Sequence, residues 1–398
     1  MARPLRGARL RAVALTLPLV AFVAVTFIAP LGSMLVRSFY EPHVADALPR
    51  TLAALRAWDG SSVPSEDTFR ILATELRWLD EQRKLGAVAT RVNRLESGMR
   101  STIMDTADAL SSAEPGSWRE AMIARDPIWE EPSAWLAVRR AGERYTMRHY
   151  LNALDLDRDP SGNIVAQSPD RRIYLPLLLR TLGVSLAITI ICLILGYPVA
   201  YLIANASPAR SNLLLLLVLV PFWTSLLVRT TSWIVLLQNQ GVVNDLLVAA
   251  GVIGEDGRLA LVYNMVGTLV AMTQVLLPFM ILPLYAVMRS ISPTYLRAAS
   301  SLGATFRQGF VRVYWPQSLP GVAAGSLLVF ILSIGYYITP ALVGGRTGQL
   351  ISNMIAYHMQ ESLNWGLAAA LGVILLVTVM SLYLVYNRLV GIERMRLS

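Results

Sequence analysis

Cysteine, histidine and lysine are nearly missing from this 398-residue chain, and each scarcity removes a class of chemistry. Cys192, the single cysteine, sits inside an apolar run, so the chain can form neither an internal disulfide nor a thiolate metal cluster. His43, His149 and His358 are scattered and give no metal-ligand spacing. Lys84 is the sole lysine, and no glycine-rich phosphate loop precedes it, so a Walker A nucleotide site is excluded. Charge is also scarce. At 15% charged, 55% hydrophobic and a mean hydropathy of +0.50, the composition is that of a membrane protein.

About 20 apolar residues in a helix cross a hydrocarbon layer of ~30 Å. Uncharged runs of that order occupy 12–36, 181–209, 211–228 with a continuation past Arg229 to Asn244, 259–288, 313–345 and 362–387. Six spans are expected. The first follows Arg3, Arg6, Arg9 and Arg11 and reads as a retained signal anchor, because Ala45-Asp46-Ala47 lies well past the apolar run. With the N terminus inside, the inner segments are 1–11, the turn at Arg210, the loop 289–317 and the tail with Arg388, Arg394 and Arg396. They hold twelve arginines and one acid, Glu393. The outer loops carry Arg258 and Arg346 against Asp245, Glu255, Asp256 and Glu361. The positive-inside rule thus puts both termini in the cytoplasm.

Residues 41–176 then form an outer segment with 18 of the 35 basic and 21 of the 26 acidic side chains. The excess positive charge lies elsewhere, beside the spans, which is how orientation is encoded and is unlike a nucleic-acid-binding face. Within 66–112, Val88, Val92, Leu95, Met99 and Ile103 recur at helical steps and predict a long helix or helical hairpin. Trp118, Trp129 and Trp135, separated by Pro127 and Pro132, predict a second small packing unit. Asp155, Asp157 and Asp159 have the spacing of a calcium loop, but the glycine is displaced and Ala166 stands where a bidentate glutamate belongs, so a surface turn is the preferred reading.

The inner loop is long, basic and free of acids. Ser292 and Pro293 suit the cap and first turn of a helix, and Gly303 breaks it, so a short cytoplasmic helix meets a second helix at an angle. Ala299, Leu302, Phe306, Phe310 and Val313 form an apolar stripe, while Arg297, Arg307 and Arg312 stay solvated. This geometry suits a knob inserted into another protein.

On these residues the chain resembles the ABC importer permeases, whose Glu-Ala-Ala signature places two alanines, three residues, a glycine, nine residues, an aliphatic residue, one residue, leucine and proline in order. Ala298, Ala299, Gly303, Val313 and Pro316 fall on that spacing, whereas Arg297 replaces the glutamate and Trp315 the leucine. Leu195-Gly196-Tyr197-Pro198-Val199-Ala200-Tyr201, the stretch from Pro221 through Trp223 to Thr230, and Pro340-Ala341-Leu342-Val343-Gly344-Gly345 resemble the spermidine/putrescine-type branch. The resemblance covers about 174–398 and the first span. It implies an all-α membrane protein of six transmembrane helices in the type I importer permease fold, with a helical periplasmic insertion between the first two. Residues 1–39 would be the cytoplasmic N terminus and first helix, 40–176 the insertion, and 177–398 a five-helix core with the coupling loop 289–318.

It further implies a bacterial inner-membrane permease subunit that is not itself an enzyme, working with an ABC ATPase dimer, a second permease in a heterodimer and a periplasmic solute-binding protein. ATP and Mg would be bound by the ATPase, with no cofactor in this chain. ATPase closure would move the coupling helices and turn the core from inward-facing to outward-facing. Residues expected at the ATPase are Arg297, Ala298, Ala299, Leu302, Gly303, Ala304, Arg307 and Pro316. Polyamines or a related small organic solute are the expected cargo.

Inside the spans each candidate has two readings. Arg229, the one charge well within a run, either snorkels to the outer headgroups or serves a gate. Gln274 makes an interhelical hydrogen bond or faces the translocation path. Trp223, Tyr336 and Tyr337 are belt or core aromatics, or faces for an amine cation. The absence of an intramembrane carboxylate points to an external energy source. The competing class is a membrane-anchored sensor or assembly factor whose outer segment binds a partner.

Overall fold

The computed structural model describes residues 14–110, 116–159 and 162–390, so Arg3, Arg6, Arg9, Arg11, Glu393, Arg394 and Arg396 lie outside it. The chain forms two compact units, Met1–Tyr150 and Leu151–Ser398. The division falls within the segment 40–176 that the sequence treats as one insertion.

The first unit begins with α1, Ala14–Arg37, whose apolar side chains are exposed along its length. Just beyond it, the Ser38 and Tyr150 hydroxyls lie 2.7 Å apart, and Tyr40 bridges Tyr145, tying the end of the span to the end of a polar helical module. That module is built on α2 (Glu66–Glu81), α3 (Leu85–Asn93), α4 (Met99–Ala109) and α5 (Pro132–Ala141), with shorter helices between them. The stretch expected as one helix or hairpin is therefore three helices. Arg83 at φ 54° takes the left-handed backbone just past the end of α2, and Gly98 at φ 94° takes it as the N-cap of α4. The apolar stripe nevertheless points inward, with Val88, Val92, Met99 and Ile103 buried.

The tryptophans do not form a separate unit. Trp129 and Trp135 are fully buried in the same core as Phe69, with the Phe69 and Trp135 rings 4.6 Å apart edge to face. Both indoles are satisfied, Trp129 donating to Thr106 Oγ1 at 2.9 Å and Trp135 to the Trp129 carbonyl at 3.0 Å. Acids from α2 cap the helices around it. Buried Glu75 accepts from the N–H groups of Arg50 and Thr51 at 2.9 and 3.0 Å, and Glu66 accepts from Trp118 N–H at 2.6 Å.

The second unit opens with a hairpin of β1 (Leu156–Arg158) and β2 (Ile164–Ala166), Leu156 opposite Ala166. The calcium-like spacing is thus part of a hairpin. Asp155 is buried, and its carboxylate accepts from the N–H groups of Ile173, Tyr174 and Leu175 at 3.0, 3.0 and 2.8 Å. It satisfies the orphan donors of α6, Tyr174–Asn205, which starts earlier than the apolar run at 181 suggests.

The third expected span is broken. α7 (Pro208–Leu219) runs into a tight turn at Val220–Trp223, and α8 (Leu226–Leu237) leaves it, the broader pair Pro208–Trp223 and Leu226–Ala249 being bent by 96°. Pro221 supplies no N–H to continue the ladder, Thr224 is extended, and Ser225 caps α8 by accepting from Val228 N–H at 3.1 Å.

α9 (Met265–Ser290), α10 (Pro293–Ser301) and α11 (Phe306–Gly335) follow, then α12 (Ile338–Val343), α13 (Ile351–Gln360) and α14 (Trp365–Arg388). With α1 and the bent pair these give up to six apolar spans among the described residues. The fold is an all-α membrane protein.

α6, α9 and α11 form the centre, meeting where side chains are smallest. A Cβ at Gly196 would lie 3.1 Å from Met280, and one at Gly321 would lie 3.2 Å from both Leu284 Cα and the Pro283 carbonyl. Pro198, Pro278, Pro283 and Pro320 sit within continuous helices.

Candidate functional site

The loop between α9 and α11 follows from its residues almost one by one. Ser292 Oγ accepts from Thr294 N–H at 3.3 Å and Pro293 fills the first turn of α10. At the other end Gly303 has φ +82°, its N–H donating to the Ser300 carbonyl at 3.0 Å while Ala304 N–H donates to Ala299 at 3.0 Å. These two bonds are the Schellman closure, which glycine permits without a side-chain penalty. Thr305 and Gln308 then exchange reciprocal capping bonds at the start of α11.

α10 rests on a bare patch of α11. A Cβ at buried Gly309 would lie 3.5 Å from Leu296 and 4.0 Å from Ala299. Leu302 and Phe306 turn the other way, 89% and 75% exposed. The expected stripe is therefore split: Ala299, Phe310 and Val313 are half-buried against the core, and Leu302 and Phe306 form an apolar tip. Ala298, Arg297, Arg307 and Pro316 are exposed around it, and Ala304 is half-buried. Among the described residues Arg297 reaches only Thr294 Oγ1, at 3.4 Å. Arg289 is used internally, donating to the Ala204 carbonyl at the end of α6 at 3.1 Å.

Aromatic rings join this tip to the spans. Phe306 stacks on Phe310 with centroids 6.4 Å apart, and Phe310 meets Tyr201 at 5.7 Å and Tyr314 at 5.7 Å. Tyr197 touches Trp315 at 4.9 Å, and its hydroxyl lies 2.9 Å from Ser318 Oγ. The helix is π-wound at Phe310–Tyr314, just before Pro316, the residue whose ring and missing N–H an α-helical ladder does not accommodate. The rings thus connect the start of α11 with α6.

The span candidates do not share one site. Arg229 donates to the Pro221 carbonyl, which also accepts from Thr224, and, at 3.0 Å, to that of Thr224, so it bonds to carbonyls at the break in the third span. Tyr336, at the C-cap of α11, is packed against the buried core of the second unit. Gln274 accepts from Trp233 Nε1 at 3.3 Å, and both line a mostly apolar cleft of about 330 Å³. Trp223 is 76% exposed, apart from these. Tyr337, at the break after α11, lines a different cleft beside α13.

Residues 196–392 match the family described as the binding-protein-dependent transport system inner membrane component. The spermidine/putrescine transport system permease protein PotB of Escherichia coli K12 is 34% identical over 216 residues, 54% of this chain and 78% of that protein. The chain belongs to this family. It is an inner-membrane ABC importer permease of the spermidine/putrescine branch. The inner membrane ABC transporter permease protein YdcU of the same organism is 33% identical over 226 residues, 54% of this chain and 71% of YdcU. The crystal structure of a bacterial alginate ABC transporter bound to an alginate pentasaccharide-bound periplasmic protein aligns at a TM-score of 0.43 and 19% identity, over 55% of this chain and 78% of the other.

Family membership makes the protein a multi-pass transport subunit and sets aside the reading of a membrane scaffold alone. The family match begins in α6 and contains the inner loop and every span candidate, but not the first unit. Sequence reasoning missed Tyr197, Tyr201 and Phe310 as a connecting cluster. Their spacing along α6 and α11 is plain, but that the two helices face each other there is a tertiary fact.

Proposed function

We propose that this permease carries polyamines or a related small organic solute inward, driven by an ABC ATPase dimer that grips the loop 289–318. Both termini and that loop are cytoplasmic, and the module at 40–176 faces the periplasm. The observation that carries the reading is the exposed apolar tip. Leu302 and Phe306 stand out on a Schellman-closed helix in a loop with four arginines and no acid, a surface that isolation in water disfavours and a groove in another protein would cover. The relatives' polyamine names support the cargo, and the ring cluster from Phe306 to α6 supplies a path from docking to span movement.

The charges around the tip add a constraint. Arg297, Arg307 and Arg312 call for an acidic rim on the ATPase groove, and Arg297 in place of the family's glutamate makes that rim opposite in sign at one contact. A second permease and a periplasmic solute-binding protein complete the assembly in this reading. ATP and Mg belong to the ATPase chain.

Co-expression of the permease with the ATPase, second permease and binding protein of its operon tests this through uptake of labelled spermidine and putrescine. Uptake that requires the ATPase is the expected result. Purification without any ATPase, together with no uptake of either amine, would overturn the reading.

A further inference from the structure

Between α12 and α13 the second unit has an open cleft of about 430 Å³, within the range of small-molecule sites at ~300–1,000 Å³. Its polar lining is Tyr337, Gln349, Asn353, Tyr357, Gln360 and Glu361. Asn353 is committed to holding the walls together, donating to the Tyr337 carbonyl at 2.8 Å and accepting from Leu350 N–H at 3.0 Å. The other side chains are available to an occupant.

The electrostatics favour one sign. Glu361 is exposed and makes no ion pair among the described residues, whereas Asp245 and Glu255 are both taken by Arg258, at 2.7 and 2.9 Å. Glu361 also stands at the C-terminal cap of α13, where the helix dipole is already negative and a carboxylate is misplaced unless a cation joins it. The basic residue of that last turn, His358, is buried and bonded to Tyr174 at 2.9 Å and Ser362 at 2.8 Å. Two tyrosine rings offer π faces to a cation, and the Gln349 and Gln360 amide oxygens accept from an ammonium. One carboxylate with amides and rings is a poor divalent-metal site, and the lining contains no basic side chain for an anion.

We propose that this cleft is an amine-binding site on the permease itself, seating a primary ammonium between the Glu361 carboxylate and the rings of Tyr337 and Tyr357. The choice of amine as ligand class rests on the polyamine reading above, while the site itself rests on the cleft. A linear diamine or triamine places its methylenes along the rings and small apolar walls and its second ammonium against the glutamines. The cleft then holds the solute on the permease as well as on a soluble carrier.

The test is calorimetric titration of spermidine into the full chain in zwitterionic nanodiscs, with putrescine and its uncharged counterpart 1,4-butanediol as comparators. Saturable binding of both amines and none of the diol is expected. E361Q should weaken spermidine binding at least tenfold, E361D should retain part of it, and Y357L should give an intermediate loss at unchanged folding. E361Q binding as tightly as wild type, or wild type showing no saturable binding, overturns the site. Uptake measured in parallel separates the two ideas: ATPase-dependent spermidine uptake without cleft binding retains the importer and removes the site. Glu361-dependent binding without uptake retains the site and removes the cargo. If E361Q loses capture of the binding protein at unchanged spermidine affinity, the cleft holds a basic side chain of that protein and the proposal is wrong.

Discussion

Gly303 is the residue on which docking geometry turns. At φ +82° with nothing within 4 Å of a built Cβ, substitution strains only the backbone, by about 1–3 kcal/mol for a β-branched residue. G303V should insert and accumulate normally but lose most ATP-driven uptake, while G303N, which tolerates the left-handed region, should keep it. Wild-type uptake by G303V would remove Gly303 from the coupling. Leu302 makes the complementary case. It is 89% exposed, so L302D should leave thermal stability within about 0.5 kcal/mol yet prevent co-purification of the ATPase. Retention of the ATPase by L302D would argue that the tip lies outside the interface.

A third residue-scale prediction concerns Glu41 in the first unit. Burial pushes its carboxyl up, but the His149 hydrogen bond and the charges of Arg148, His149 and Arg94 outweigh this and hold it at about 2 instead of 4.5. Because the folded value is depressed, the stabilisation is fully present above about pH 4.5 and is lost as pH falls through about 2. The shift corresponds to about 3 kcal/mol. E41Q should therefore lower the unfolding midpoint of this unit at pH 7 and flatten its acid limb. A variant indistinguishable from wild type between pH 7 and pH 2 would contradict the assignment.

Among elements, α9 and α11 pack closely enough for a side-chain test. A Cβ at Gly321 would stand 3.0 Å from Val287 Cβ and 3.2 Å from the backbone of Leu284 and Pro283. G321L should cost about 1–3 kcal/mol or more through overpacking, read as a lower melting midpoint in detergent. An unchanged midpoint would show that the helices separate there at no cost. The same elements explain what was legible beforehand. Apolar runs located the spans, and Ser292, Pro293 and Gly303 bounded α10 correctly because caps and left-handed glycines are local chemistry. The breaks at Arg83 and after Pro221 were not legible. Arg83 carries no sequence sign of its positive φ, and the turn after Pro221 brings Arg229 back onto the Pro221 and Thr224 carbonyls, a contact that exists only once the helix has ended. The surface turn preferred at Asp155 is a hairpin, but that its carboxylate binds three N–H groups was not legible, since a cap separated by 18 to 20 residues has no pattern along the chain.

At the scale of the whole molecule, charge asymmetry and apolar spans carry the orientation, and the acidic segment 41–176 resolves into a helical module with its own tryptophan-centred core and a hairpin that belongs to the second unit. The module lies outside the family match, which begins at residue 196. The account depends on the inner loop meeting an ATPase. A photoreactive amino acid in place of Leu302, activated in living cells expressing the intact operon, measures that contact directly. We expect a covalent product of the permease with the ATPase chain that is lost when the probe is moved to Leu246 on α8's continuation, which the proposed topology puts in the periplasm. Products restricted to periplasmic proteins, or no ATPase adduct from Leu302 in cells that take up the solute, would contradict the account.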